Sequence, residues 1–199
     1  VLFINKVDRL IKELKLRSEE AQKKLLRIIQ DFNNLIELYG EPDYREKWRV
    51  DPAKGTVAFG SALHRWGFTV GIAQKKKIKF SDIVDAYNKE EWQELQKKVP
   101  LHTAILDMVV KNLPNPIEAQ KYRVPKIWKG ELDSEIGEAM MKCDDNGPTI
   151  MCFTSAQLDP HAGLVATGRM FSGSIQEGDQ VYLVGAKKDY RVQQVSVYM

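Results

Sequence analysis

The hydrophobic pattern of this chain changes character once. Up to about residue 118, apolar residues recur every three or four positions between short apolar runs. Beyond residue 146 they fall in short runs, about ten residues apart, with glycine and proline between them. The first pattern belongs to helices packed on strands, the second to antiparallel strands joined by tight turns. The fold class expected is therefore α/β followed by all-β, with domains at 1–118 and 119–199. A chain of 199 residues has room for two modest domains.

Val1–Ile4 reads as a short, fully buried strand, after which Asp8 caps a helix over Arg9–Leu14. Ser18 opens the clearest helix, whose stripe is Ala21, Leu25, Ile28, Ile29, Phe32, Leu35, Ile36 and Tyr39. Glu19 and Glu20 suit its first turn, and Gly40 with Pro42 ends it. Residues 41–55 read as a polar connector and Thr56–Phe59 as a second strand. Helices then follow from Ser81 toward Tyr87, over "KEEWQELQKK", and from Pro100 to "PNP" at 114–116. "EAQKYRVPKIW" reads as a crossover containing proline. After "NGP" come strand-like runs in "TIMCFTS", "LVATGRMF", "QVYLVG" and "RVQQVSVY", with turns at "DPHAG", "SGSIQEGD" and "KKDY". Both ends are strand-like, so the sequence reads as an internal segment of a longer protein.

Composition narrows the function classes. No apolar run approaches the roughly 20 residues of a membrane-spanning helix, and the start lacks the pattern of a signal peptide. The net charge of +3 permits contact with nucleic acid without requiring it. Cys143 and Cys152 have no metal-ligand spacing and read as free thiols, which points to a reducing, cytoplasmic location. No pair among His64, His102 and His161 is spaced as metal ligands. No metal site is expected in these residues.

Two loops carry the chemistry, "NKVD" after the first strand and "GSA" after the second. If the strands are parallel neighbours, both loops open at the carboxyl edge of the sheet, where open α/β folds bind ligands. A guanine base offers two adjacent donors, N1–H and the 2-amino group, and a carboxylate such as Asp8 accepts both. Adenine lacks that pair and would leave the carboxylate unsatisfied. Lys6 can lay its stem on the base, with its ammonium near the ribose. Asn5 can fix the loops to one another, the Ala62 N–H can reach guanine O6, and Ser61 can brace the turn. NKxD alone arises by chance about once in forty chains of this length, so the motif needs its strand context. The alternatives are a helix-capping loop with a solvated lysine and an ordinary small-residue turn.

The stretches "VLFINKVDRLIKELKL", "FGSALHRWGF", "VPLHTAILDMVVKNLPNP", "YRVPKIWKG" and "DPHAGLVATGRMFSGSIQEGDQVYLV" cover nearly the whole chain. Together they resemble the elongation factor 2 family of archaea and eukaryotes, ribosomal translocase GTPases that are the counterparts of bacterial elongation factor G. The archaeal branch is the nearer match, because the connector between the two loops is short. The resemblance implies that residues 1–118 are the C-terminal part of a P-loop-type GTPase domain, with a reduced insertion within about 9–59. It implies that residues 119–199 begin an antiparallel translation-factor β-barrel that meets ribosomal RNA. Asn5, Lys6, Asp8, Ser61 and Ala62 would then bind the guanine of GTP or GDP. Mg²⁺ would be held by motifs that this sequence does not contain: there is no GxxxxGK[ST] and no DxxGH. On this reading the segment contains no catalytic residue. The partners implied are the ribosome and GTP, with no membrane and a monomeric protein.

Lys75, Lys76 and Lys77 could neutralise RNA phosphates or form a solvated loop. Arg169, Lys187, Lys188 and Arg191 are equivalent candidates in the second half. His161 reads as part of a shaping turn, His64 as structural, and His102 as a surface or capping residue. A rival reading is a non-catalytic protein of ribosome or ribonucleoprotein assembly, or a release-type GTPase relative, built on the same scaffold.

Overall fold

The computed structural model describes residues 1–197. The chain divides into two compact units, Val1–Leu113 and Pro114–Met199. The expected break at residue 118 lies inside a helix, because "PIEAQKYRVPKI" folds as one helix rather than a crossover.

The first unit opens with strand β1 (Leu2–Ile4), helix α1 (Val7–Lys12) and helix α2 (Ser18–Tyr39). Asp8 lies within the first turn of α1 and does not cap it; Lys6 occupies the cap position. The 22-residue α2 buries Ala21, Leu25 and Ile29, while Leu35 and Tyr39 of its expected stripe stand exposed. The polar connector is more ordered than its composition implies. It holds helix α3 (Pro42–Trp48), with proline in its first turn, and a 3₁₀ turn at Pro52–Lys54. Asn33 of α2 anchors the following residues: its side chain donates to the Val50 carbonyl and accepts the Val50 N–H, both at 2.9 Å.

Strands β2 (Val57–Ser61) and β3 (Trp66–Thr69) complete a three-stranded sheet in the order β1-β2-β3. β1 runs parallel to β2, pairing Leu2 with Val57 and Ile4 with Phe59. β3 runs antiparallel to β2, so the sheet has one pair of each kind rather than the mostly parallel arrangement expected. "RWGF" had no strand expectation, because one arginine and a glycine break the apolar alternation. Pairing with β2 decides it. β1 is an edge strand with a neighbour on one side only, which leaves Ile4 buried and Val1 exposed.

Helices α4 (Val70–Lys76), α5 (Phe80–Asn88), α6 (Gln93–Lys98) and α7 (Leu101–Asn112) follow. The Lys75–Lys77 cluster is thus the C-terminal end of a helix. The core joins Ile4, Val7 and Ile11 to Leu25, Ile29, Val57, Phe59, Trp66, Phe68, Ile83, Tyr87, Leu95 and Val99. Trp66 is wholly buried, and its backbone neighbours bind the segment before α7: Gly67 N–H to the Val99 carbonyl, Leu101 N–H to the Arg65 carbonyl.

The second unit holds helices α8 (Pro116–Ile127) and α9 (Glu135–Lys142) and two antiparallel hairpins. One pairs β4 (Ile150–Asp159) with β5 (Gly163–Ser172), the other β6 (Gln180–Leu183) with β7 (Lys188–Arg191). Val124, Met140 and Phe171 form its core. "KKDY" supplies most of strand β7 instead of a turn, and residues 192–197 are not in a strand; Tyr198, the last residue of that expected strand, lies outside the described residues. Among the described residues the sheets remain separate pairs and do not close into a barrel.

Glycine is required where β2 and β3 touch. A Cβ on Gly60 would lie 2.3 Å from the Trp66 carbonyl oxygen and 2.8 Å from the Gly67 Cα. Gly60→Ala is expected to cost about 2 kcal/mol or more through forced backbone movement. Gly71→Ala on α4 meets only the Thr69 hydroxyl, at 3.9 Å. That change should stabilise by up to about 1 kcal/mol through helix propensity. Urea unfolding of the two variants checks the opposite signs.

Candidate functional site

Parallel pairing of β1 and β2 carries both strands to the same edge of the sheet, so the loops after Ile4 and Ser61 emerge together. One side chain joins them. Asn5 Oδ1 accepts the Ala62 N–H at 2.9 Å and the Lys6 N–H at 2.7 Å. Two loop amides are thereby satisfied by a residue 57 positions from one and adjacent to the other. Asn5 itself is exposed.

Lys6 adopts a left-handed backbone, with φ 62° and ψ 31°. For a lysine this costs roughly 1 kcal/mol, and such residues gather at functional turns. Its turn sends the chain from β1 into α1 and brings Asp8 beneath the edge. Asp8 is 6% exposed. Its carboxylate oxygens are not among the buried polar atoms that lack a partner, so they keep some access to solvent.

The second loop rests on a polar network of which only the bracing Ser61 and a structural His64 were expected. Ser61 is wholly buried, and its hydroxyl accepts the His64 N–H at 3.2 Å. His64 Nδ1 lies 2.6 Å from the Tyr87 hydroxyl, which also receives the Trp66 indole N–H at 2.8 Å. The His64 ring stacks on Trp92, centroids 4.1 Å apart. Tyr87 was legible only as the end of the helix from Ser81, and Trp66 only as a packing residue; their polar tips are the added signal. Burial pushes the Tyr87 hydroxyl up to about 12, and the nearby Asp8 charge adds to the shift. Burial lowers His64; Asp8 opposes this and Lys12 assists it.

All five expected base-binding residues, Asn5, Lys6, Asp8, Ser61 and Ala62, therefore lie at or beneath one edge. The Ala62 N–H differs from expectation in being already engaged, by Asn5. Among the described residues no group of three or more His, Cys, Asp or Glu is placed to hold a metal ion. His161 sits in the β4–β5 turn, where Asp159 Oδ1 accepts the backbone N–H of both His161 and Ala162 at 2.8 Å. Those two bonds lower the Asp159 pKa.

No protein-family model matches the chain. It is 60% identical over 201 residues to elongation factor 2 of Staphylothermus marinus. It is 56% identical over 202 residues to that of Sulfurisphaera tokodaii and 57% over 200 residues to that of Korarchaeum cryptofilum. Each alignment takes in 100% of this chain. The chain is homologous throughout to archaeal elongation factor 2. It spans 27% of the length of each of these relatives.

Within this elongation-factor-2-like chain, the remaining candidates lie apart from the edge. Lys75, Lys76 and Lys77 end α4, and the Lys76 ammonium donates to the Lys98 carbonyl at 2.5 Å. Arg169 is exposed on β5. Lys187, with φ 53°, and Lys188 lie at the β6–β7 turn. No helix is long and apolar enough to cross a membrane among the described residues.

The titration of Tyr87 gives a stability signature. Its folded pKa stands above the unfolded value near 10, so its contribution is complete below pH 10. That contribution is lost as pH rises from about 10 through about 12. The alkaline loss should shrink in Tyr87→Phe, read as chemical stability across pH 8–12 beside the tyrosinate absorbance of both proteins.

Proposed function

We propose that this chain is part of a GTP-binding translation elongation factor that promotes movement of tRNA and mRNA through the ribosome. Its own share of that work is to select guanine. The observation that supports this most strongly is the bond from the Ala62 N–H to Asn5 Oδ1, which sets the two loops side by side with Asp8 close by in the first turn of α1. The Asp8 carboxylate accepts guanine N1–H and the 2-amino group. The Lys6 stem covers one face of the base, with its ammonium toward the ribose. Guanine O6 shares or takes over the Ala62 N–H from Asn5, and Ser61 holds the turn from below. The names of the relatives favour an elongation factor over an assembly or release protein.

GTP supplies the phosphoryl bond whose cleavage resets such a factor. Holding its phosphates and Mg²⁺ and orienting the attacking water are assigned to motifs that this sequence lacks. Residues 1–118 would be the C-terminal part of a P-loop-type GTPase domain, with a reduced insertion within about 9–59. Residues 119–199 would belong to a β-barrel domain II, of which β4–β5 and β6–β7 are strands. Exposed Leu158, Leu164 and Tyr182 on these hairpins are consistent with apolar faces that further strands would cover. Lys75, Lys76, Lys77, Arg169, Lys187 and Lys188 are proposed to neutralise ribosomal RNA phosphates.

Asp8→Asn in the full-length protein replaces an acceptor with an amide whose N–H suits the 2-oxo group of xanthine. GTP affinity should fall at least a hundredfold, on the order of 3 kcal/mol for a charge-assisted pair, and XTP should become the preferred nucleotide. Competition binding measures this; unchanged preference for GTP sinks the assignment. For the RNA surface, Lys187→Ala with Lys188→Ala should lower the slope of log affinity for ribosomes against log salt by roughly 1.5. An unchanged slope removes both lysines from that surface.

A further inference from the structure

We infer that Tyr87, on α5, is a positioning residue that holds the Ser61–Ala62 turn in place for the six-position oxygen of guanine. The inference rests on the guanine reading above and adds a residue far from both loop motifs. Tyr87 is 5% exposed. What it touches is the underside of the turn. Its oxygen accepts the indole N–H of Trp66, which is fixed in the core by complete burial. Its hydroxyl lies 2.6 Å from His64 Nδ1. Ser61 in turn accepts the His64 N–H, and the next residue, Ala62, donates its own N–H to Asn5 Oδ1 at the edge. A chain of contacts therefore runs from the β3 core through Tyr87 and His64 to Ser61, the residue next to the N–H proposed to meet the base.

The wiring is directional. Once the Trp66 N–H is accepted, the Tyr87 hydroxyl has one proton to donate, and His64 Nδ1 can receive it. Neutral His64 with its proton on Nε2 accepts at Nδ1; protonated His64 can only donate there. The charged and titratable groups around this ring are Asp8 and Lys12 of α1 and Tyr87 of α5, while Trp92 supplies the stacking face. Phenylalanine at position 87 would keep the ring but orphan the Trp66 N–H and release His64 and, through it, Ser61. A single turn at the end of β2 would then be free to shift by the fraction of an ångström that a hydrogen bond to O6 does not tolerate.

The test compares GDP with 6-thio-GDP in the full-length protein. The thio analogue keeps N1–H and the 2-amino group for Asp8 but offers sulfur, a poor acceptor, in place of O6. Tyr87→Phe should weaken GDP binding about tenfold and 6-thio-GDP binding less than twofold, measured by equilibrium competition. Equal loss for both nucleotides would assign Tyr87 a general structural role, and no loss for either would leave it without a part in binding; each overturns the inference. His64→Asn, a change at a partly exposed side chain, provides a second variant should Tyr87→Phe fail to fold. It should show the same selectivity at about threefold, and equal effects on the two nucleotides again overturn the inference. Asp8→Asn run in parallel separates the two ideas. If it leaves GDP affinity unchanged, the guanine site itself is wrong. If it weakens GDP while Tyr87→Phe does nothing, the site stands and the brace falls.

Discussion

Everything at the candidate site follows from one register. Ile4 pairs with Phe59 in a parallel ladder, and that pairing obliges the two chains to leave the sheet on the same side. An antiparallel pairing of the same strands would have sent Asn5 and Ala62 to opposite ends. The ladder is short, three residue pairs, and does not stand alone. Core side chains from α1, α2, α5 and α6 cover it, and β3 and the Val99–Leu101 segment extend it on the far side. Burial of Val57, Ala58 and Trp66 supplies the stabilisation; hydrogen bonding supplies the placement.

With both loops at one edge, the polar groups divide into two layers. Asn5, Lys6 and Ala62 face outward and carry the groups that a ligand can meet. Ser61, His64, Trp66 and Tyr87 lie beneath and determine where those groups stand. The upper layer uses backbone N–H donors and a strained lysine, so it depends on the lower one for its precision of placement. Asp8 lies close to both layers, and its charge acts on the pKa of His64 and Tyr87.

The upper layer and Ser61 beneath it were legible in the sequence, and the part played by Trp66 and Tyr87 was not. Asn5, Lys6, Asp8, Ser61 and Ala62 sit in two short runs whose residue types fit one ligand chemistry, and local order along the chain was enough to find them. Trp66 and Tyr87 contribute through atoms that only tertiary contact aligns. Tyr87 follows the period of α5 as any core aromatic would, so its hydroxyl carried no distinct signal. The same contrast holds for the fold. α2 was clear from a long stripe and a charged first turn, whereas β3 was hidden by Arg65 and Gly67 and exists because β2 and the Val99–Leu101 segment flank it. The second unit shows the limit of periodicity: glycine-punctuated runs identified strands β4, β5 and β6, but the partner of β6 proved to be the charged "KDYR" rather than the valine-containing run after it.

The bond between Asn5 and Ala62 has a consequence for how such a chain can change over time. Its partners are 57 positions apart, yet their approach is fixed by the strands at either end of the intervening segment. Closing a loop costs free energy only as the logarithm of its length, so doubling the segment would cost about 0.6 kcal/mol. The stretch containing the far end of α2 and all of α3 can therefore lengthen, shorten or acquire a new surface while the two loops stay in register. Variation in the size of the segment between the two loops is therefore cheap.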